Sequence, residues 1–149
     1  MKRIIPLTPR RWLALEIFRR MKHERVEEHP LRQLFWECTL RCNVRCRHCG
    51  SDCKSSPATP DMPLQDFLKV LDSIATHTNP HDVFVIISGG EPTVREDLET
   101  CGKEISRRGY PWGMVCNGLC LTRERLHNLI RSGMRSPSAW TCLLYTSPS

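Results

Sequence analysis

Five of the nine cysteines in this 149-residue chain fall within eighteen residues, in the run WECTLRCNVRCRHCGSDC at positions 36–53. Cys42, Cys46 and Cys49 are spaced C-x3-C-x2-C, and Cys38 and Cys53 flank them. Thiols this dense on a polar loop cannot all be core residues. Thiolates are strong ligands for iron–sulfur clusters and for zinc. Three thiolates fall one short of the four irons of a cubane cluster, so one iron would stay open for a substrate or cofactor. The alternative is a structural zinc site, with Cys46-x2-Cys49 as one half and Cys38-x3-Cys42 as the other, although zinc pairs usually stand further apart in sequence. Disulfides fit poorly, because the thiols are clustered and their count is odd. The second stretch with chemical potential is Gly89-Gly90-Glu91-Pro92. Its glycines allow close backbone approach and its carboxylate can accept hydrogen bonds from an amine. Taken alone it is equally a tight turn with an exposed Glu91.

The elements that must deliver these residues follow from periodicity. After Pro30, residues 31–38 read as a strand, so the cysteine cluster begins where a strand ends. Residues 54–63 hold three prolines and read as a loop, and Leu64, Phe67, Leu68, Leu71 and Ile74 mark a helix to about His77. Residues 82–88 form a nearly unbroken apolar strand, as expected for a parallel strand covered on both faces, with GGEP at its end. Leu98, Cys101 and Ile105 give the next helix its buried stripe, and Gly109 supplies a stop. Residues 112–116 form a third strand, Asn117-Gly118 a turn, and Thr122 caps a helix carrying Leu126, Leu129 and Ile130 that Gly133 closes. Three successive strand–helix units imply an α/β fold with parallel strands and right-handed crossovers. Such a fold places its chemistry at the carboxyl ends of the strands, where both candidate stretches lie. A fourth strand is due after Ser136, but PSAWTCLLYTSPS, with its prolines and Ser/Thr punctuation, does not read as one. The sequence therefore divides into 1–30, 31–136 and a tail, 137–149.

The net charge of +6 is concentrated near the start, where Lys2, Arg3, Arg10, Arg11, Arg19, Arg20, Lys22 and Arg25 face only Glu16 and Glu24. Thr8 as N-cap and Pro9 at the first helical position open a helix in which Trp12, Leu13, Ile17, Phe18 and Met21 recur at helical spacing. It reads as amphipathic and basic. Such a helix could touch an anionic membrane surface, but the commoner arrangement packs its apolar face on its own protein. No base-reading motif points to nucleic acid. No run has signal-peptide character or the length of a membrane span, and the expected location is the cytoplasm.

With both motifs in order on successive strands, residues 31–136 resemble the radical S-adenosylmethionine (SAM) enzymes. The signature C-x3-C-x2-C stands as Cys42, Cys46 and Cys49, with His48 at the usually aromatic position, and GGEP is intact as Gly89, Gly90, Glu91 and Pro92. Asn117-Gly118 resembles the family's TNG-like turn, with Cys116 in place of threonine, and a simple turn is equally consistent. The resemblance implies a (β/α)6 partial TIM barrel, here incomplete, preceded by the N-terminal helix. It implies a [4Fe-4S] cluster on Cys42, Cys46 and Cys49, with SAM chelating the fourth iron and contacting Gly89, Gly90, Glu91, Pro92, His48 and Asn117. One electron, from a donor such as flavodoxin or ferredoxin, would cleave SAM to a 5′-deoxyadenosyl radical that abstracts hydrogen from substrate. Cys38 and Cys53 should not bind the cluster, because a permanent fourth thiolate would close the iron that SAM needs.

The run around the cysteines resembles the branch that modifies peptides and proteins, including SPASM-type maturases, and its GSDC ending is similar to a lipoprotein-associated subgroup. Heme-biosynthesis-related and cofactor-maturing members share the same core. Family members usually continue through six strand–helix units. This chain is therefore expected to represent the first part of such an enzyme, inactive alone, with a tail that looks like adapter read-through or a frameshift.

Overall fold

A computed structural model describes residues 8–138, apart from 47, 48, 52, 54 and 56. The expected contact His48 and the tail from 139 onward lie outside the described residues. The chain divides into two compact units at Pro30 and Leu31.

The first unit is helix α1, Pro9–Glu28. Thr8 caps it as the sequence indicates: its hydroxyl accepts from Arg11 N at 3.4 Å and its carbonyl from Trp12 N at 2.9 Å. The expected amphipathic character is not found. At about 100° per residue, Trp12, Leu13, Leu15, Ile17, Phe18, Met21 and Val26 fall around the whole circumference, and all seven side chains are exposed. Glu16 instead knits the surface, bonding Arg19 at 2.8 and 2.9 Å and Arg20 at 3.3 Å.

The second unit is built on a four-stranded parallel sheet, ordered β1-β2-β3-β4, with β1 Gln33–Thr39, β2 Phe84–Gly89, β3 Trp112–Val115 and β4 Met134–Ser138. The crossovers contain α2 Leu64–Ala75, α3 Leu98–Arg107 and α4 Arg123–Arg131. Alternate strand residues Trp36, Cys38, Val85, Ile87, Trp112 and Met114 join Phe67, Leu68 and Leu71 of α2, Leu98, Cys101 and Ile105 of α3, and Leu129 of α4 in one core. The apolar stripes legible in the sequence are thus the stripes that pack, although Ile130 is exposed.

Two expectations change. The continuous apolar run of β2 suggested cover on both faces, yet Phe84, Ile86 and Ser88 are only half-buried and Phe35 on β1 is exposed. The opposite face of the sheet is the one that the helices cover. The fourth strand also exists, running through Pro137, where the sequence reading ended the domain at 136. Proline is tolerated there because, among the described residues, β4 is the last strand of the sheet and pairs only with β3.

Candidate functional site

The carboxyl ends of β1, β2 and β3 open onto a cavity of about 250 Å³. From the loop after β1 it is lined by Cys42, Val44, Arg45, Cys46, Cys49, Ser51 and Cys53, from β2 by Ser88, Gly89 and Gly90, and from β3 by Val115, Cys116 and Asn117. The three spaced cysteines and the glycine pair, forty or more residues apart in sequence, therefore face the same space.

The glycines are needed for a reason that the sequence does not show. A Cβ on Gly89, at φ +119°, would lie 2.2 Å from the carbonyl oxygen of Thr39, and one on Gly90 would lie 2.2 Å from that of Arg41. What approaches so closely is the chain leaving β1. Gly90 N donates to Thr39 O and Glu91 N to Arg41 O, each at 2.8 Å. The pair thus fastens the root of the cysteine loop to the end of β2, while its other side forms cavity wall.

Glu91 and Pro92 are buried and do not line the cavity. Glu91 is fully enclosed, with Oε1 accepting from the backbone and hydroxyl of Thr93 and Oε2 from Asn117 N at 2.5 Å. A buried carboxylate is tolerable only when so satisfied. It ties the turn after β2 to the end of β3. Asn117 continues the chain of contacts: its Nδ2 donates to Asn43 Oδ1 at 2.7 Å, and its Oδ1 accepts from Leu119 N at 3.0 Å. Asn43 lies between Cys42 and Cys46, and its Nδ2 donates to Cys120 Sγ at 3.1 Å. The start of the cysteine loop is thus held by the glycine turn at Thr39 and Arg41 and by the amide pair at Asn43.

Sequence reasoning missed a second set of supports. Arg95, almost fully buried, forms a forked pair with Asp97 at 2.8 and 2.9 Å, donates to Cys38 O at 2.6 Å and Met62 O at 3.1 Å, and lies over the Trp36 ring. Asp61 accepts from Thr39 Oγ1 at 2.6 Å and from Arg41 Nη2 at 2.5 Å, bracing both residues against which the glycines press. No spacing rule links positions 39, 41, 61 and 95. The contacts arise only when the loop after the cysteines folds back over β1.

The remaining thiols separate by environment. Burial pushes Cys38 and Cys101 up to about 12, and both belong to the core. Cys116, buried at the cavity wall, is also pushed up, chiefly by burial. The Cys42 thiol is raised by burial and by the nearby Glu91 charge, against a lowering hydrogen bond at Val44. Metal ligation, which needs the thiolate, offsets that penalty.

These residues fit an iron–sulfur cluster. Cys42, Cys46 and Cys49 line the cavity together with the backbone of Gly89 and Gly90, with Cys53 and Cys116 also on its lining. Among the described residues, no three His, Cys, Asp or Glu side chains form a group that could hold one metal ion. A cubane distributes its thiolates over separate irons, whereas zinc gathers four ligands about a single ion.

Comparison with known proteins bears on the same span. The family described as Radical SAM superfamily matches residues 36–139. The tungsten-containing aldehyde ferredoxin oxidoreductase cofactor-modifying protein of Pyrococcus furiosus is 33% identical over 105 residues, covering 70% of this chain and 29% of that protein. PqqA peptide cyclase of Bradyrhizobium diazoefficiens is 31% identical over 101 residues, covering 66% and 25%. The crystal structure of BtrN in complex with AdoMet and 2-DOIA superposes with a TM-score of 0.60 at 18% identity, over 72% of this chain and 44% of that one, a likeness of fold. The chain spans about a quarter of the length of the curated relatives it matches.

Proposed function

Since this chain belongs to the radical SAM superfamily, we propose that it acts as a radical SAM enzyme, with Cys42, Cys46 and Cys49 holding a [4Fe-4S] cluster and SAM binding beside it against Gly89, Gly90 and Asn117. The observation that carries this reading is the convergence of the C-x3-C-x2-C thiols and the GGEP glycines on one cavity at the carboxyl ends of the strands. When bound, the cluster supplies the electron that cleaves the sulfonium bond of SAM, giving a 5′-deoxyadenosyl radical for hydrogen abstraction.

The chain's own residues do the positioning. Gly89 and Gly90 present backbone rather than side chains to the cavity, and Asn117 reaches it while pinned through Glu91 and Asn43. Glu91 acts through the wall, by fixing the ends of β2 and β3 in register. Phe35, Ile86 and Val115 lie on the less covered face of the sheet, and of these Val115 lines the cavity.

The substrate in this reading is a peptide or protein, supported by the peptide-cyclase relative. The cofactor-modifying relative favours a second reading, modification of a smaller molecule at the same site. A one-electron donor such as flavodoxin or ferredoxin and a reducing cytoplasm complete the assignment.

Anaerobic reconstitution with iron and sulfide, followed by electron paramagnetic resonance of the reduced chain with and without SAM, tests the site. The expected result is a [4Fe-4S] signal that changes on adding SAM and is lost in Cys46→Ala. Colourless protein with stoichiometric zinc instead would replace this reading with that of a noncatalytic zinc-binding module.

A further inference from the structure

Of the residues between Cys42 and Cys46, Val44 and Arg45 line the cavity, whereas the Asn43 side chain is engaged at the turn after β3. Its Oδ1 accepts from Asn117 Nδ2 at 2.7 Å and its Nδ2 donates to Cys120 Sγ at 3.1 Å, contacts that join positions more than seventy residues apart. The orientation of both amides is fixed from one end. Leu119 N can only donate, so the Asn117 atom that receives it at 3.0 Å is the oxygen. The Asn117 nitrogen then faces Asn43, which answers with its oxygen and so turns its own NH2 to the Cys120 sulfur. Asn117 is itself anchored: it is 6% exposed, and its backbone N–H donates to the buried carboxylate of Glu91. Every partner in this chain of contacts is protein, so it forms before any metal arrives.

On the cluster reading above, we infer that Asn43 is a positioning residue for the cluster: through Asn117 it fixes segment 42–46 against the end of β3, so that two of the three thiols are in place when iron and sulfide bind. Asn43 gives no atom to iron. Its effect reaches the cluster through the backbone on either side of it, to Cys42 directly before it and to Cys46 three residues on. Supporting residues that orient metal ligands typically contribute about 10–100-fold to metal affinity. The pair also spends the side chain of Asn117: its oxygen serves Leu119 and its nitrogen serves Asn43, so Asn117 meets the cavity as braced wall.

The test uses the 149-residue chain, reconstituted anaerobically without SAM, and measures the rate of iron loss to a chelator and the cluster's midpoint potential by electron paramagnetic resonance. Asn43→Ala is expected to lose iron about tenfold faster than the unsubstituted chain and to show a shifted potential, because a loosened loop changes hydrogen bonding and solvent exposure at the sulfurs. Asn117→Ala removes the same contact from the other side. The double variant should therefore lose iron much more slowly than the product of the two single effects would give. Should the Asn43→Ala chain not fold, Asn43→Ser, whose hydroxyl ends one bond short of the amide oxygen, is read in the same way. Iron loss and potential both unchanged at position 43 would overturn the inference while leaving the cluster reading intact. So would single effects that simply multiply, since the two amides would then act separately. Failure of the unsubstituted chain to form any cluster would remove the reading and the inference together.

Discussion

At the scale of single residues, Glu91 shows how a motif can be recognised for one role and built for another. A carboxylate after two glycines invites a direct contact with an amine. In the fold, the same carboxylate is fully buried and its oxygens accept from Thr93 and Asn117. Hydrogen bonds to charged groups contribute more than neutral ones, and an unsatisfied buried partner costs about 1–3 kcal/mol. Glu91→Gln keeps the shape but exchanges one acceptor oxygen for an NH2 facing a donor. We expect it to destabilise the cluster-free chain by about 1–3 kcal/mol in urea unfolding at neutral pH. Unchanged stability would show that these bonds hold nothing and would return Glu91 to the role of a free contact residue.

At the scale of elements, the key joint lies between the end of β1 and the end of β2. Gly90 is where it closes, since a Cβ would lie 2.2 Å from the Arg41 carbonyl oxygen. Backbone cannot rotate aside as a side chain can, so the strand ends must separate. Gly90→Ala should cost about 1–3 kcal/mol, as overpacked sites do, and should lower cluster occupancy on reconstitution by moving the root of the cysteine loop. Gly50→Ala is the matched control, because its Cβ would meet nothing within 4 Å. If the two variants take up equal iron, the joint does not position the loop. The strands, the helix stripes and the Thr122 cap, which accepts from Arg125 N at 3.2 Å, were legible because each depends on near neighbours in sequence. The glycine joint, the Arg95 hub and the Asp61 brace were not, because their partners lie across the fold and nothing local marks them. Helix α1 misled for the opposite reason: five apolar residues matched helical spacing pairwise while spreading around the axis.

At the scale of the whole molecule, the core and its polar braces set opposite limits on pH. Asp61 is lowered: burial alone would raise it, but hydrogen bonds from Arg41 and Thr39 prevail. Asp97 is lowered by its hydrogen bonds from Arg95, against burial. Each has a folded pKa below its unfolded value, so its contribution is present above about pH 4 and is lost as pH falls through the folded pKa. Both are partly exposed, which screens the size of the effect. Cys38 and Cys101 work in the other direction. Both are fully buried, and burial raises each from 9.0 to about 12. The unfolded chain then releases these protons first, so it binds fewer than the folded chain between about pH 9 and 12, and stability falls as pH rises. At 1.36 kcal/mol per unit, the loss approaches about 4 kcal/mol per thiol across the window. Urea unfolding of the cluster-free, reduced chain should therefore show a plateau between the two limits, an acid fall that Asp61→Asn flattens, and an alkaline fall that Cys38→Ala or Cys101→Ala reduces. Because each alanine also leaves a small cavity, the diagnostic quantity is the slope above about pH 9 rather than the stability at neutral pH. A slope unchanged in both variants would show that neither thiol stays protonated by burial, and that the core between the sheet and its helices admits water.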